Sequence, residues 1–411
     1  MASVLKRDSV FENIPSIKAK TLRINLNPDI YGTFAEIGAG QETARHFFRS
    51  GGASGTIAKA MSAYDKDFSD AIYGIEKDGR YVTQARLKTM LSHEMQLMEE
   101  RISRKNHPDR LFFSYANTVA TIDFSKRYKG HGWIGIRYQL DPKQKEFDEI
   151  ILHIRFKQNE ARLQQETLGI LGVNLIYGAF YKYDKPKKML KYLYDHIDKD
   201  TLEIDMVNFS GPNFKDVDNR LMSLQLIKND MTDAVMFGPD GNNLLPAAVL
   251  YKKNILALRG SFRPVTKVNL DMFEKSYDIF IRDPQVDQNN TIVIFEITLS
   301  NLKASGEIDE QDFMDRAELL CSLGHSVMIS KFQEYYKLVE YFNNFFKYNG
   351  KVMDIIDYEP DVMHIFSRDV LKKLMNNEEG WEKMLPEGIA EIIKEKNLFV
   401  RKTIEIDTEE T

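Results

Sequence analysis

The chain has 411 residues, with 56 lysines and arginines against 61 aspartates and glutamates and a formal net charge of −5. That length suits two or three domains with real cores, and 43% hydrophobic with 28% charged residues excludes disorder for the bulk. The single cysteine, Cys321, excludes an intramolecular disulfide framework and multi-thiolate sites, and the mild acidity gives no global basic footprint for nucleic acid or anionic membrane.

Residues 1–20 read as a polar lead-in, broken by Lys6, Arg7, Asp8 and Glu12 where a secretory signal needs an apolar stretch. No segment approaches the ~20 apolar residues of a spanning helix. A cytoplasmic protein without a membrane partner is the expectation. LRINL (22–26) alternates like a short strand, and TFAEIGAGQETARHFFRSGG (33–52) reads as strand, glycine turn and helix, stopped at Gly51-Gly52. Leu87, Leu91, Met95 and Met98 fall at helical spacing within 85–103.

Between 111 and about 156 the pattern changes to short aromatic and β-branched runs, LFFSYANTVATIDF, GWIGIRYQL and EIILHIRF, which predict sheet. From 157 helices and strands alternate, through LEIDMVNFSG, TDAVMFGPDG, TIVIFEITLS and HSVMIS as strands and FQEYYKLVEYFNNFF (332–346) as a helix. The whole predicts an α/β fold, with mixed or mostly parallel sheets flanked by helices, a β-rich segment at about 111–156 and a charged helical C-terminal tail. Domain boundaries are expected to give an α+β domain at 1–156, an α/β domain at 157–345 and a helical segment at 346–411 packing on the preceding domain.

Four features could carry chemistry. Gly38 and Gly40 follow a strand and open a helix, so backbone amides could cradle phosphate, although Thr43 stands where a dinucleotide fingerprint needs its third glycine. Asp65, Asp67 and Asp70 put three carboxylates within six residues, enough for a divalent cation such as magnesium but lacking the glycine of a calcium loop. The strands at 206–214, 235–243 and 293–301 each run into polar or glycine-containing ends. If neighbours, they would gather Asn208, Ser210, Asn213, Asp240, Asn242, Glu296, Thr298 and Ser300 on one edge, where open parallel sheets bind ligands. Finally, Arg259, Ser261, Arg263 and Lys267 form a cationic, hydroxyl-bearing loop suited to phosphate or carboxylate.

Each feature also has a plain reading, as a turn, a cap or a solvated loop. His131, between Gly130 and Gly132, is the acid/base candidate, with a tight-turn role competing. No histidine or cysteine pair has zinc-ligand spacing, and Cys321 lies on an apolar helical stripe as a buried thiol. Lys126, Arg127 and Lys129 near Trp133, Arg137 and Tyr138 are the basic-aromatic cluster, but the overall acidity makes a nucleic-acid partner unlikely to be the right class.

The stretches IPSIKAKTLRINLNPDIYGTFAEIGAGQETARHFFR, QQETLGILGVNLIYGAFY, NFSGPNFKDVDNRLMSLQLIKNDMTDAVMFGPDGNNLLPA and EIDEQDFMDRAELLCSLGHSVMISKFQEYYKLVEYF resemble a widespread, uncharacterised bacterial family. Its members circulate under the labels "TonB-dependent receptor" and "nicotinate-nucleotide adenylyltransferase", and the resemblance brings no catalytic residues with it. A receptor of that kind needs many alternating barrel strands and a signal peptide; the adenylyltransferase needs an H-x-G-H loop after its first strand, and only Gly130-His131-Gly132 comes near. Relative to the family, this chain looks shortened near 343–351. The leading expectation is an α/β enzyme acting on a small anionic, nucleotide-like metabolite, with Asp240, Glu296 or His131 doing acid/base or metal work. The alternatives are a nucleotidyltransferase and a non-catalytic binding or assembly protein, in either case as a possible homo-oligomer.

Overall fold

The computed structural model describes residues 14–102, 104–304, 306–332, 353, 355 and 357–400. The helix expected over 332–346 (beyond Phe332), the shortened junction near 343–351 and the acidic end after Glu405 lie outside the described residues. The chain divides into two compact units, Met1–Val217 and Asp218–Thr411.

In the amino-terminal unit the elements run α1 (Ile17–Asn25), β1 (Ile30–Ile37), α2 (Glu42–Ser50), β2 (Ile57–Ala63), α3 (Lys66–Tyr73), α4 (Gln84–Arg101), β3 (Leu111–Ala120), β4 (His131–Tyr138), β5 (Asp148–Phe156), α5 (Ala161–Tyr181), α6 (Pro186–Tyr192) and β6 (Leu202–Ser210). The six strands form one sheet in the order β2-β1-β3-β4-β5-β6. β1 is parallel to both β2 and β3, and the pairs from β3 to β6 are antiparallel. The run LRINL falls mostly within α1 rather than in a strand. Ser16 caps that helix by accepting from Ala19 N, and the buried residues Lys20, Thr21, Ile24 and Asn25 recur at helical spacing. Since β6 pairs with β5, the strand expected to open a second domain after 157 instead completes this sheet.

Both faces of the sheet are covered, which is why β3 is buried along nearly its whole length, its Ser114, Asn117 and Thr118 included. Adjacent side chains on a strand point to opposite faces. Ser114 Oγ donates to Leu91 O of α4, while the hydroxyl of Tyr115 lies 3.0 Å from Thr43 Oγ1 at the start of α2. A Cβ on Gly172 of α5 would meet Thr43 Oγ1 at 2.4 Å and the Tyr115 hydroxyl at 2.5 Å, so glycine there lets α5 close onto α2 and the sheet. The buried Lys20 ammonium of α1 donates to Asp195 Oδ2 (2.5 Å) and Asn174 Oδ1 (2.8 Å), binding α1 to α5 and to the turn after α6.

The carboxyl-terminal unit runs α7 (Asn219–Lys228), β7 (Ala234–Phe237), β8 (Asn243–Leu244), α8 (Pro246–Val249), β9 (Asn254–Arg259), α9 (Lys267–Ile281), β10 (Thr291–Thr298), α10 (Leu299–Lys303), α11 (Glu310–Ser322) and β11 (Ser326–Ser330), followed by α12 (Ser367–Met375) and α13 (Ile389–Lys396). Its sheet has the order β8-β7-β11-β10-β9. β9, β10 and β11 are parallel, and β7 is antiparallel to β11. Phe295, Val327 and Phe237 are cross-strand partners and so share a face, on which Phe273 of α9 and Phe313 of α11 pack. The other face carries the Met236, Ile294 and Met328 cluster, covered by Leu244, Val249 and Leu250. Cys321 is buried in α11, where burial raises its thiol pKa and keeps it inert.

The fold is thus α/β, with two mixed sheets flanked by helices and a helical C-terminal part. Among the described residues, no helix is long and apolar enough to cross a membrane. Replacing Lys20 by methionine leaves the Asp195 carboxylate buried without its cation, a loss expected to cost about 3–5 kcal/mol. Urea unfolding of the variant checks this, and an unchanged midpoint would show the pair to be dispensable.

Candidate functional site

The glycine turn after β1 is built as the sequence suggests. Gly38 and Gly40 adopt φ of 89° and 76°, and a Cβ on Gly38 would lie 2.0 Å from Val119 O. The helix start that the turn feeds is already taken by an internal anion. The buried Glu36 carboxylate accepts from Thr43 N (3.2 Å), Ala44 N (2.9 Å) and Asn117 Nδ2 (3.2 Å). These amides are the orphan donors at the amino end of α2, and Gln41 at the N-cap offers them no side chain. Burial pushes the Glu36 carboxyl up to about 7 against these hydrogen bonds.

The acidic run does not converge on a cation. Asp65 caps α3 by accepting from Phe68 N, while Asp70 accepts from the Tyr81 hydroxyl and lies 3.6 Å from the Arg86 guanidinium. Asp67 stands exposed in the first turn of α3. Among the described residues, no group of three or more histidines, cysteines, aspartates or glutamates is placed to hold a metal ion.

The polar strand ends do not gather on one edge as the sequence reading had them. Asn208, Ser210 and Asn213 belong to the amino-terminal unit, where Asn213 donates from N and Nδ2 to the Asp148 carboxylate. Because β7 runs antiparallel to β11, with Phe237 opposite Val327, Asp240 follows the end of β7 at the amino end of the parallel strands. There Asp240 is exposed and accepts from Asn242 N and Nδ2, and these donors hold its carboxyl below the usual range. The antiparallel pairing separates Asp240 from Glu296.

At the carboxyl end of β9, β10 and β11, Arg259, Glu296 and Ser330 meet. Arg259 Nε and a terminal nitrogen donate to Glu296 Oε2 at 2.9 and 2.8 Å, across the β9–β10 register. Ser330 of β11 donates to Glu296 Oε1 at 2.6 Å, and Thr298 is its register partner. Glu296 is buried, whereas the Arg259 side chain is 36% exposed. The loop after β9 is pinned by Phe262, buried at a φ of 47° and packed on Phe295 with ring centroids 5.3 Å apart.

On either side of Phe262, Ser261 O accepts from Arg316, and Arg263 Nε donates to Asp312, which also takes Arg316. Arg316 is buried, and its Nε has no hydrogen-bond partner among the described residues. Asp312 and Arg316 stand on α11, the helix on the Phe295 face, whereas Glu296 and Arg259 point to the Met328 face. The two groups therefore flank the sheet's carboxyl edge. Lys267 opens α9, exposed to solvent.

His131 is the first residue of β4 rather than part of a tight turn. Its Nδ1 lies 3.3 Å from His153 Nε2, and His153 Nδ1 lies 2.6 Å from Asp205 Oδ1. His153 and Asp205 are buried, and the Trp133 ring packs on His153 at 4.8 Å. Desolvation first, and then the neighbouring His153, lower the His131 pKa. Sequence reasoning missed both partners. The available signal was an aspartate inside the apolar run LEIDMV and a histidine inside EIILHIRF.

No family model matches the chain, and no curated protein matches it. The solved structures with some likeness include a competence-damaged protein (CinA) superfamily protein from Enterobacter cloacae, at 11% identity and a TM-score of 0.28 over 44% of this chain and 98% of that one. The competence or damage-inducible protein from Enterobacter asburiae gives 8% identity and a TM-score of 0.28, over 40% and 98%. The competence/damage-inducible protein CihA from Agrobacterium tumefaciens gives 13% identity and a TM-score of 0.26, over 44% and 98%. TM-scores this low do not establish a shared fold, and neither label of the resembling bacterial family gains support.

A Glu36 carboxyl raised from 4.5 to about 7 makes the folded chain bind more protons than the unfolded one across that window, so its contribution to stability falls as pH rises through it. Relative to Glu36→Gln, wild type should lose on the order of 3 kcal/mol between pH 4.5 and 7. Denaturant midpoints at the two pH values test this, and parallel profiles would contradict it.

Proposed function

We propose that the protein is a cytoplasmic α/β enzyme whose carboxyl-terminal unit binds a small phosphate- or carboxylate-bearing, nucleotide-like metabolite across the carboxyl end of β9, β10 and β11. Arg259 and Arg263 hold the anion, and Glu296 is the acid/base group. The observation that carries this reading is the hydrogen-bonded row Arg259–Glu296–Ser330, contributed by three adjacent parallel strands at the end where such sheets bind ligands. Its arginine is accessible while its carboxylate is not.

A bound anion competes with Glu296 for the Arg259 fork, whose planar donors match phosphate or carboxylate oxygens. Engaging Arg259 frees one oxygen of Glu296 to exchange a proton with the ligand, while Ser330 keeps the other oxygen in place. Arg263 sits across the edge, oriented by Asp312, and that carboxylate retains Arg316 as a partner when Arg263 is removed. Asp240, at the opposite end of the strands, takes no part.

A thermal-shift panel of phosphate- and carboxylate-bearing metabolites is expected to give selective, concentration-dependent stabilisation. For the tightest of them, Arg263→Ala should weaken binding about tenfold or more, the 1.5–3 kcal/mol of a hydrogen bond to a charged group, with an unchanged circular dichroism spectrum. Equal affinity in the variant would contradict the assignment.

A further inference from the structure

In the amino-terminal unit, three strands contribute one residue each to a chain of polar groups that runs from the core to the surface: Asp205 on β6, His153 on β5 and His131 on β4. The strand pairing shows how this is built. His153 is opposite Met206 and Ile154 is opposite Ile204, so Asp205 is the extra residue of a β-bulge. A bulge costs ladder hydrogen bonds and re-aims a side chain, and here it aims a carboxylate at His153 Nδ1. Trp133, the cross-strand partner of His153, holds that ring from β4.

With both imidazoles neutral, the hydrogen-bond order sets the tautomers. The Asp205 carboxylate accepts from His153 Nδ1–H, which leaves His153 Nε2 with a lone pair. That lone pair accepts from His131 Nδ1–H. His131 Nε2 is then left unprotonated, and it has no partner among the described residues. His131 is half-buried, and desolvation keeps its ring neutral to lower pH than an ordinary histidine, against the opposing pull of Asp205.

We propose that His131 is a general base at a second site, with His153 and Asp205 as positioning residues, and that this site takes an anionic substrate. In the step, an O–H bond of a substrate hydroxyl or a bound water breaks, its electron pair stays on oxygen, and the proton bonds to His131 Nε2. The positive charge formed on that ring is balanced through His153 by Asp205. The substrate's charge class follows from the surroundings. Arg155 is the cross-strand partner of His131, and the exposed Lys126, Arg127 and Lys129 lie on the loop that leads into it. Glu203 lies 3.9 Å from Arg155, and Asp123 accepts from Ser125 N and Tyr128 N within its own loop. This inference does not rest on the proposed site of the carboxyl-terminal unit.

The test uses the full chain with 15N-labelled histidine, reading tautomers by NMR, together with diethyl pyrocarbonate, which acylates unprotonated imidazole nitrogen, mapped by mass spectrometry with His131→Gln as the control. The expected result is His131 protonated at Nδ1 and acylated at Nε2. Asp205→Asn is expected to slow the acylation several-fold, because the carboxylate that fixes the tautomer and balances the charge is gone. Millimolar pyrophosphate is expected to slow it in wild type. A His131 protonated at Nε2, or an acylation rate unchanged in both Asp205→Asn and His153→Gln, would overturn the base assignment. Absence of any protection by pyrophosphate would overturn the anionic substrate class. Should the variants fail to fold, the wild-type tautomer alone decides.

Discussion

A carboxylate removed from water must be met by donors, and in both sheets this requirement falls on a glutamate near the end of the strand that has parallel neighbours on each side. Glu36 stands on β1 between β2 and β3, and Glu296 on β10 between β9 and β11. Both are buried. An unpaired charge at either place would cost several kcal/mol, so the elements around each glutamate are constrained to bring it donors. α2 begins where its amides reach Glu36, and β9 ends where Arg259 reaches Glu296.

The two glutamates differ in what answers them. Glu36 is met by backbone amides and an amide side chain, all neutral and all enclosed. Such a carboxylate caps a helix from a neighbouring strand and closes the position where an outside phosphate would otherwise sit. Glu296 is met by a guanidinium that still reaches solvent. A ligand anion can compete for that arginine, whereas nothing can reach Glu36 without opening the fold. The glycine turn at 38–40 and the cationic loop at 259–263 look equally suited to an anion as sequences, and they differ in burial: Glu36 is enclosed, whereas the Arg259 side chain reaches solvent.

Much of this was legible in the sequence where one signal dominated. The apolar stripe of Leu87, Leu91, Met95 and Met98 gives α4, the aromatic runs from 111 to 156 give β3, β4 and β5, and Cys321 is buried as its stripe implied. The grouping of Arg259 with Glu296 was half legible: Glu296 read as a strand end and Arg259 as part of a cationic loop, and nothing local showed that 254–259 is the strand paired with β10. Strand direction was not legible. TDAVMFGPDG and TIVIFEITLS have the same texture, and only the antiparallel pairing of β7 with β11 sends Asp240 to the far end of the sheet. The His153–Asp205 pair was hidden for a related reason. It depends on a one-residue bulge in β6, which a pattern of alternating side chains cannot register. LRINL misled because five alternating residues fit a strand as well as the buried stripe of a short helix.

The carboxyl end of the parallel strands in the second unit is the place we propose for an external anion. A crystal of the full chain grown with selenate, with the ion located by its anomalous scattering, tests this directly. A peak is expected within hydrogen-bond reach of Arg259 and Arg263 at the ends of β9 and β10. A selenate bound instead at the Gly38–Gly40 turn or beside Asp240, with none at those two arginines, would contradict it.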